Sequence, residues 1–207
     1  KKYFIMKKII IIGAGAMGSA FAVPCLENKN EVTLVGTHLE DELINNIQLN
    51  NNFHPALNIK LPSNLKVEKY DKLKSILEGG IDIIVAGVSS VGIEWFVKQI
   101  TKSYKKNSPI ILLTKGLAIE DNELITLSDK IKKLLKDQGH TDVNISAIKG
   151  PCLAAGLAYK MRTGTVIANP DIKETEKLKK IISTDYYSTE VSDDLTGIEL
   201  SGAIKNI

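Results

Sequence analysis

Two lysines and a glycine-rich turn are the residues best placed to do chemistry in this chain. Lys115 follows the apolar run Ile110-Ile111-Leu112-Leu113-Thr114 and precedes Gly116. A lysine just past the carboxyl end of a buried strand stands at the edge of an open parallel sheet where ligands bind, and Gly116 lets a ligand approach the backbone. Lys205 stands in Gly197-Ile198-Glu199-Leu200-Ser201-Gly202-Ala203-Ile204-Lys205-Asn206. On a helix its neighbours one turn back are Ser201 and Gly202. Such small residues leave a hollow where a substrate could lie, and Asn206 adds a donor and an acceptor. A lysine in a partly dry pocket loses proton affinity and can act as a proton donor near neutral pH. The competing reading of either residue is a solvated surface lysine, the commonest fate of that side chain.

The start of the chain supplies a cofactor for them. Lys7–Ile12 reads as an apolar strand, and Gly13-Ala14-Gly15-Ala16-Met17-Gly18 opens a helix directly after it. Gly13 permits the tight turn, Gly15 lets the backbone approach a pyrophosphate, and Gly18 lets the helix pack close to the sheet. The helix start offers unpaired N–H groups and a positive dipole end to the phosphates. The acid that grips the ribose is expected near the end of the second strand. That strand ends in Val35-Gly36-Thr37-His38, without a carboxylate. Thr37 and His38 could bond a 2′-phosphate, whereas Glu40, Asp41 and Glu42 would repel it. The cofactor reading is NAD or NADP, tilted slightly toward NADP.

These residues need a scaffold, and the alternation along the chain provides one. Strands are expected at 7–12, 31–35, 81–86, 109–114, 143–148 and 164–168, with weaker ones near 65–68 and 186–191. Helices are expected at 16–28, 39–50, 71–78, 91–103, 121–138, 152–161 and 172–182. Strands alternating with helices argue for βαβ units and a parallel sheet. Ile9–Ile12, Ile83–Val88 and Ile110–Leu113 are apolar on both faces, as strands are when helices cover both sides. The fold class is α/β, a Rossmann-type doubly wound, mainly parallel sheet. Asn51–Asn64 reads as a loop. Residues 6–191 form the dinucleotide-binding domain, and 192–207 read as the start of a helical substrate domain, capped at Ser192 or Asp193. That helix is expected to leave Leu195, Ile198 and Ile204 partly exposed, a patch open to fraying, homodimer formation or aggregation.

Composition narrows the partners. Of 207 residues, 43% are hydrophobic and 25% charged, ordinary for a globular protein, and the net charge is only +3. Basic residues are interspersed with acidic ones, so neither nucleic acid nor a membrane is an expected partner. Cys25 and Cys152 have no metal-site spacing and fit a reducing compartment. Lys1–Met6 is too short for a signal-peptide apolar region, so a cytoplasmic location is expected.

The chain resembles the NAD(P)-dependent sn-glycerol-3-phosphate dehydrogenases, in particular their archaeal-type members. The resemblance is carried by the glycine-rich turn, Val35-Gly36-Thr37, His54-Pro55 with Leu61-Pro62, Thr114-Lys115-Gly116-Leu117, Gly150-Pro151-Cys152-Leu153-Ala154, Thr163-Gly164-Thr165, and the segment from Gly197 to Asn206. It implies reversible hydride transfer between the nicotinamide and dihydroxyacetone phosphate or sn-glycerol 3-phosphate, feeding glycerophospholipid synthesis. It implies Lys205 as general acid/base and Lys115 as the group that holds substrate and steadies the developing alkoxide. By the same resemblance Ala16, Met17, Thr37 and Ala154 join Gly13, Gly15, Gly18 and Lys115 at cofactor positions. Gly150, Cys152 and Asn206 join the two lysines at substrate positions.

Three features depart from the family pattern. Cys152 stands where serine or another small residue is usual, and Gly156 stands where a glutamate is common. The resemblance implies a second, helical domain with a phosphate-binding arginine that these 207 residues do not include, and Arg162 is not at that arginine's place. The isolated chain is therefore expected to turn over little or no substrate. Ketopantoate reductases share the glycine-rich opening but carry asparagine where this chain has Lys115, which favours the phosphorylated three-carbon substrate. A non-catalytic nucleotide-binding fragment is the third reading.

Overall fold

The computed structural model describes residues 6–105 and 108–204. Twelve strands and eight α-helices follow in chain order: β1 (Lys8–Ile12), α1 (Ala16–Glu27), β2 (Glu31–Val35), α2 (Asp41–Leu49), β3 (Phe53–His54), β4 (Ile59–Lys60), β5 (Lys66–Glu68), α3 (Leu73–Glu78), β6 (Ile83–Ala86), α4 (Ile93–Ile100), β7 (Ile110–Leu112), β8 (Leu117–Glu120), β9 (Glu123–Thr126), α5 (Leu127–Lys136), β10 (Ile145–Lys149), α6 (Ala154–Ala158), β11 (Thr163–Ala168), α7 (Ile172–Ile182), β12 (Tyr187–Ser192) and α8 (Leu195–Ile204). Eight strands make one sheet in the order β12-β11-β10-β7-β6-β1-β2-β5. Every pairing in it is parallel except β10 with β11.

The isoleucine run of β1 shows why both faces are covered. Successive side chains on a strand point to opposite faces. Ile9 and Ile11 enter one core cluster with Phe21, Ile44 and Leu178, while Ile10 and Ile12 enter the other with Phe96, Ile131 and Leu135. Helix α1 is buried from Gly18 to Leu26 because it lies against the sheet, α6 and α7 together. Two asparagines behind it tie distant parts of the chain. Asn28 Nδ2 donates to the Ser183 carbonyl at 2.8 Å, and Asn30 Nδ2 to the Ile181 carbonyl at 3.1 Å.

All eight expected strands form, within one to two residues of their expected limits. Other expectations are corrected. The expected helix 121–138 is shorter: Asp121 and Asn122 take φ of 50° and 64° and turn a β8–β9 hairpin, and the helix starts only at Leu127. Thr126 caps it, its hydroxyl accepting from Asp129 N–H at 3.1 Å. The expected helix 152–161 shrinks to α6, closed by Lys160 at φ 56°. Within the expected 51–64 loop, β3 and β4 form a small hairpin. Leu195 is buried rather than exposed, because α8 folds back on the sheet and sets it against Ala147 and Ala168. Ile198 is partly buried and Ile204 is exposed, as expected.

Candidate active site

Gly13, with φ +110°, leaves no room for a side chain: a Cβ there would lie 2.6 Å from the Gly87 carbonyl oxygen. A Cβ on Gly18 would lie 2.2 Å from the Gly13 carbonyl oxygen. The turn, the start of α1 and the end of β6 thus pass each other backbone to backbone. Gly15 differs, since a Cβ there would meet only Glu40 Oε1, at 3.9 Å. Its open side is where a ligand can come close. The first helical bond runs from Ser19 N–H to the Gly15 carbonyl at 3.0 Å. The N–H groups of Ala16 and Met17 therefore face outward, on partly exposed residues with no acid in the first turn. An open glycine, outward N–H groups and a positive helix end fit a pyrophosphate.

The Ala14 peptide is held from both sides. Its carbonyl accepts from Ser19 Oγ at 3.0 Å and lies 2.9 Å from His54 Nε2. His54 is fully buried, and its Nδ1 accepts from Leu57 N–H at 3.3 Å. The proton must then sit on Nε2, which donates to Ala14. The Ala14 N–H donates to Glu40 Oε2 at 3.1 Å, and Thr37 N–H donates to the same oxygen at 2.7 Å. The carboxylate absent from the end of β2 thus arrives from the start of α2, a correction to the strand-end reading. Beside it His38, Tyr70 and Trp95 form an aromatic cluster, with ring centroids 5.1 Å apart for His38–Trp95 and 5.6 Å for Tyr70–Trp95. They line a recess of ≈ 840 Å³.

Lys115 lies at the carboxyl edge of the sheet, partly exposed. With Met17, Gly150 and Cys152 it lines one narrow recess of ≈ 20 Å³, so four expected site residues meet there. Gly150 follows β10, and a Cβ on it would lie 2.9 Å from Thr165 Cα. Cys152 is buried, as packing rather than surface reactivity requires. Tyr187, also on the recess, accepts from Thr165 Oγ1 at 2.9 Å. Ala154 stands apart, on α6 against the α1 side of the core. Lys205 and Asn206 lie outside the described residues. The hollow expected one turn before them is present: Ser201, Gly202 and Gly150 border a cavity of ≈ 230 Å³.

Sequence reasoning missed Lys149. It ends β10, is 4% exposed, and donates through Nζ to the carbonyls of Leu112 at 3.1 Å and Thr114 at 2.7 Å. Burial pushes its pKa down to about 8, against the pull of Glu199 and with the repulsion of Lys115. Its stem fills the space beside Gly202, where a Cβ would lie 2.9 Å from Lys149 Cδ. Glu199, 1% exposed and on the same helix, accepts from Ser128 N–H at 3.1 Å, while its Oε2 is buried without a hydrogen bond. The only signal in the sequence was a charged residue ending a strand buried on both faces.

This glycine-rich corner on a doubly wound sheet, with lysines at its carboxyl edge, defines a dinucleotide-binding domain of Rossmann type. Residues 8–175 match the family model described as NAD-dependent glycerol-3-phosphate dehydrogenase N-terminus, and the chain belongs to that family. It is 34% identical to the NADP(+)-dependent glycerol-3-phosphate dehydrogenase of Archaeoglobus fulgidus, over 96% of this chain and 57% of that protein. It is 31% identical to the glycerol-3-phosphate dehydrogenase [NAD(P)+] of Mesoplasma florum, over 97% of this chain and 58% of that protein. The crystal structure of glycerol-3-phosphate dehydrogenase from Coxiella burnetii has the same fold, with a TM-score of 0.83 at 23% identity over 97% of this chain and 58% of that one. The chain thus spans a little over half the length of the relatives it matches.

Proposed function

We propose that this chain is the cofactor-binding part of an NAD(P)-dependent glycerol-3-phosphate dehydrogenase, reducing dihydroxyacetone phosphate to sn-glycerol 3-phosphate and catalysing the reverse. The observation that carries this reading is the shared recess of Met17, Lys115, Gly150 and Cys152. It joins the first turn of the pyrophosphate helix to a cation at the sheet edge. When bound, the nicotinamide supplies or accepts the hydride. Lys115 holds the substrate and places positive charge where the C2 oxygen becomes an alkoxide, the kind of electrostatic help that most lowers a barrier. Lys205 gives that oxygen its proton, or removes it in the reverse direction. Gly150 and Asn206 contact the substrate, and Cys152 shapes the wall. Gly13, Gly15, Ala16, Met17, Gly18, Thr37 and Ala154 hold the dinucleotide, with residues 6–191 as its domain and α8 leading into the substrate domain.

The product is a glycerophospholipid precursor, and two buried cysteines outside any disulfide suit a reducing cytoplasm. Among the described residues no helix is long and apolar enough to cross a membrane. Self-association through the exposed side of α8 is part of the proposal, with light scattering as its test. The central test is titration of the 207-residue chain with NADH and NADPH, following nicotinamide fluorescence, and then with dihydroxyacetone phosphate at saturating cofactor. Saturable cofactor binding, and a substrate response lost in Lys115→Met, are expected. Absence of binding by either cofactor overturns the proposal.

A further inference from the structure

We propose that Lys149 is a positioning residue for substrate binding: its ammonium fixes the peptide that aims Lys115 and adds a second positive charge beside it. This rests on the dehydrogenase reading of the site. The strand register shows what the side chain replaces. β7 pairs with β10 from Ile110↔Ile145 to Leu112↔Ala147, and there the ladder between them stops. β10 runs on to Lys149, two residues past Ala147, just as Thr114 lies two past Leu112. Where the backbone no longer supplies donors, Lys149 Nζ does, to the Leu112 carbonyl at 3.1 Å and the Thr114 carbonyl at 2.7 Å. On the other side, the Thr114 hydroxyl donates to the Val88 carbonyl at 2.7 Å, just past the end of β6. The residue before Lys115 is thus held from both neighbouring strands, and Gly116 follows at φ +122°.

Packing alone does not call for this charge. The stem fills the space beside Gly202, which a methionine would fill as well, and replacing a buried ion by an apolar side chain is often neutral or stabilising. The ammonium end instead meets carbonyl oxygens, with two charged groups near it. Glu199, buried on α8, favours the protonated form, and Lys115, beyond β7, opposes it. A charge-assisted hydrogen bond is roughly twice as strong as a neutral one, so the protonated amine holds the Lys115 peptide more firmly than a neutral amine would. It also keeps a buried cation next to the lysine that receives a phosphorylated, anionic substrate, where salt screens little.

The test compares wild type, Lys149→Met and Lys149→Gln, each titrated with NADH and then with dihydroxyacetone phosphate at saturating cofactor, by nicotinamide fluorescence. Both variants are expected to keep the NADH dissociation constant within about threefold and to weaken dihydroxyacetone phosphate by about tenfold or more. In wild type, substrate affinity is expected to fall as pH rises through about 8, where Lys149 loses its proton. The variants retain Lys115 and Lys205 and are expected to lack that step. Unchanged substrate affinity in a folded variant overturns the inference and leaves the dehydrogenase reading standing. An equal loss of both ligands also overturns it, because that marks a purely structural role. Should neither variant fold, wild-type affinity that stays flat from about pH 7 to 9 overturns it. Wild-type chain that binds NADH without any response to dihydroxyacetone phosphate overturns the dehydrogenase reading and this inference with it.

Discussion

The ammonium group of Lys149 donates to the carbonyl oxygen of Thr114 at 2.7 Å, one peptide before Lys115. A buried cation from one strand thereby fixes the end of its neighbour, at the point where the chain turns to present its partly exposed lysine. The same stem sets the seat of α8 at Gly202. Lys149 therefore connects the two elements that carry Lys115 and lead to Lys205.

Stability should follow the protonation of Lys149. Its folded pKa is pushed down to about 8 from an ordinary 10.5, so between these values the unfolded chain binds more protons and stability rises with pH. Below about 8 the full cost of burying the charge is present. Relative to Lys149→Met, wild type should gain stability across that window, on the order of 3 kcal/mol at most. Urea unfolding of both proteins over the window measures it, and parallel pH curves for the two would contradict it.

Gly15 and Gly18 should separate binding from folding. Gly18→Ala drives a Cβ into the Gly13 carbonyl at 2.2 Å, so it should cost several kcal/mol or prevent folding. Gly15→Ala meets nothing closer than 3.9 Å and should leave stability within about 1 kcal/mol of wild type. Its methyl group should nonetheless weaken cofactor binding by about tenfold or more, since it stands where the backbone must approach the phosphates. Thermal unfolding and fluorescence titration of the pair give the two readouts.

The turn and its lysine were legible in the sequence because their signals are local. Glycines at fixed spacing between a strand and a helix, and a lysine just after an apolar run, each declare their place without knowledge of the rest of the fold. All eight sheet strands were legible for the same reason. Lys149 was not, and of Glu40 only its charge near the end of β2 was. Lys149 matters through carbonyls 35 and 37 residues away, and Glu40 through a peptide 26 residues away, distances at which residue patterns carry no register. The β8–β9 hairpin was missed because the helix was expected from Asp121 onward, where Asp121 and Asn122 instead take positive φ and turn a hairpin.

His54→Ala should loosen the cofactor corner from a distance. The imidazole bonds the Ala14 carbonyl at 2.9 Å from a fully buried position. Its loss should destabilise the fold by about 1–3 kcal/mol and weaken dinucleotide binding, although His54 belongs to the β3–β4 hairpin. Denaturant unfolding and cofactor titration of one variant check both parts. Unchanged affinity in a destabilised protein would limit His54 to a packing role.

The two asparagines behind α1 set a timetable for biosynthesis. Asn28 and Asn30 reach the carbonyls of Ser183 and Ile181 across 155 and 151 residues of chain. Chains emerge from the ribosome amino end first, at ~5–20 residues per second. Helix α1 is thus made some 150 residues before the carbonyls that lock it. For roughly ten seconds or more its apolar back has no final cover, a window in which a nascent-chain binder would find it.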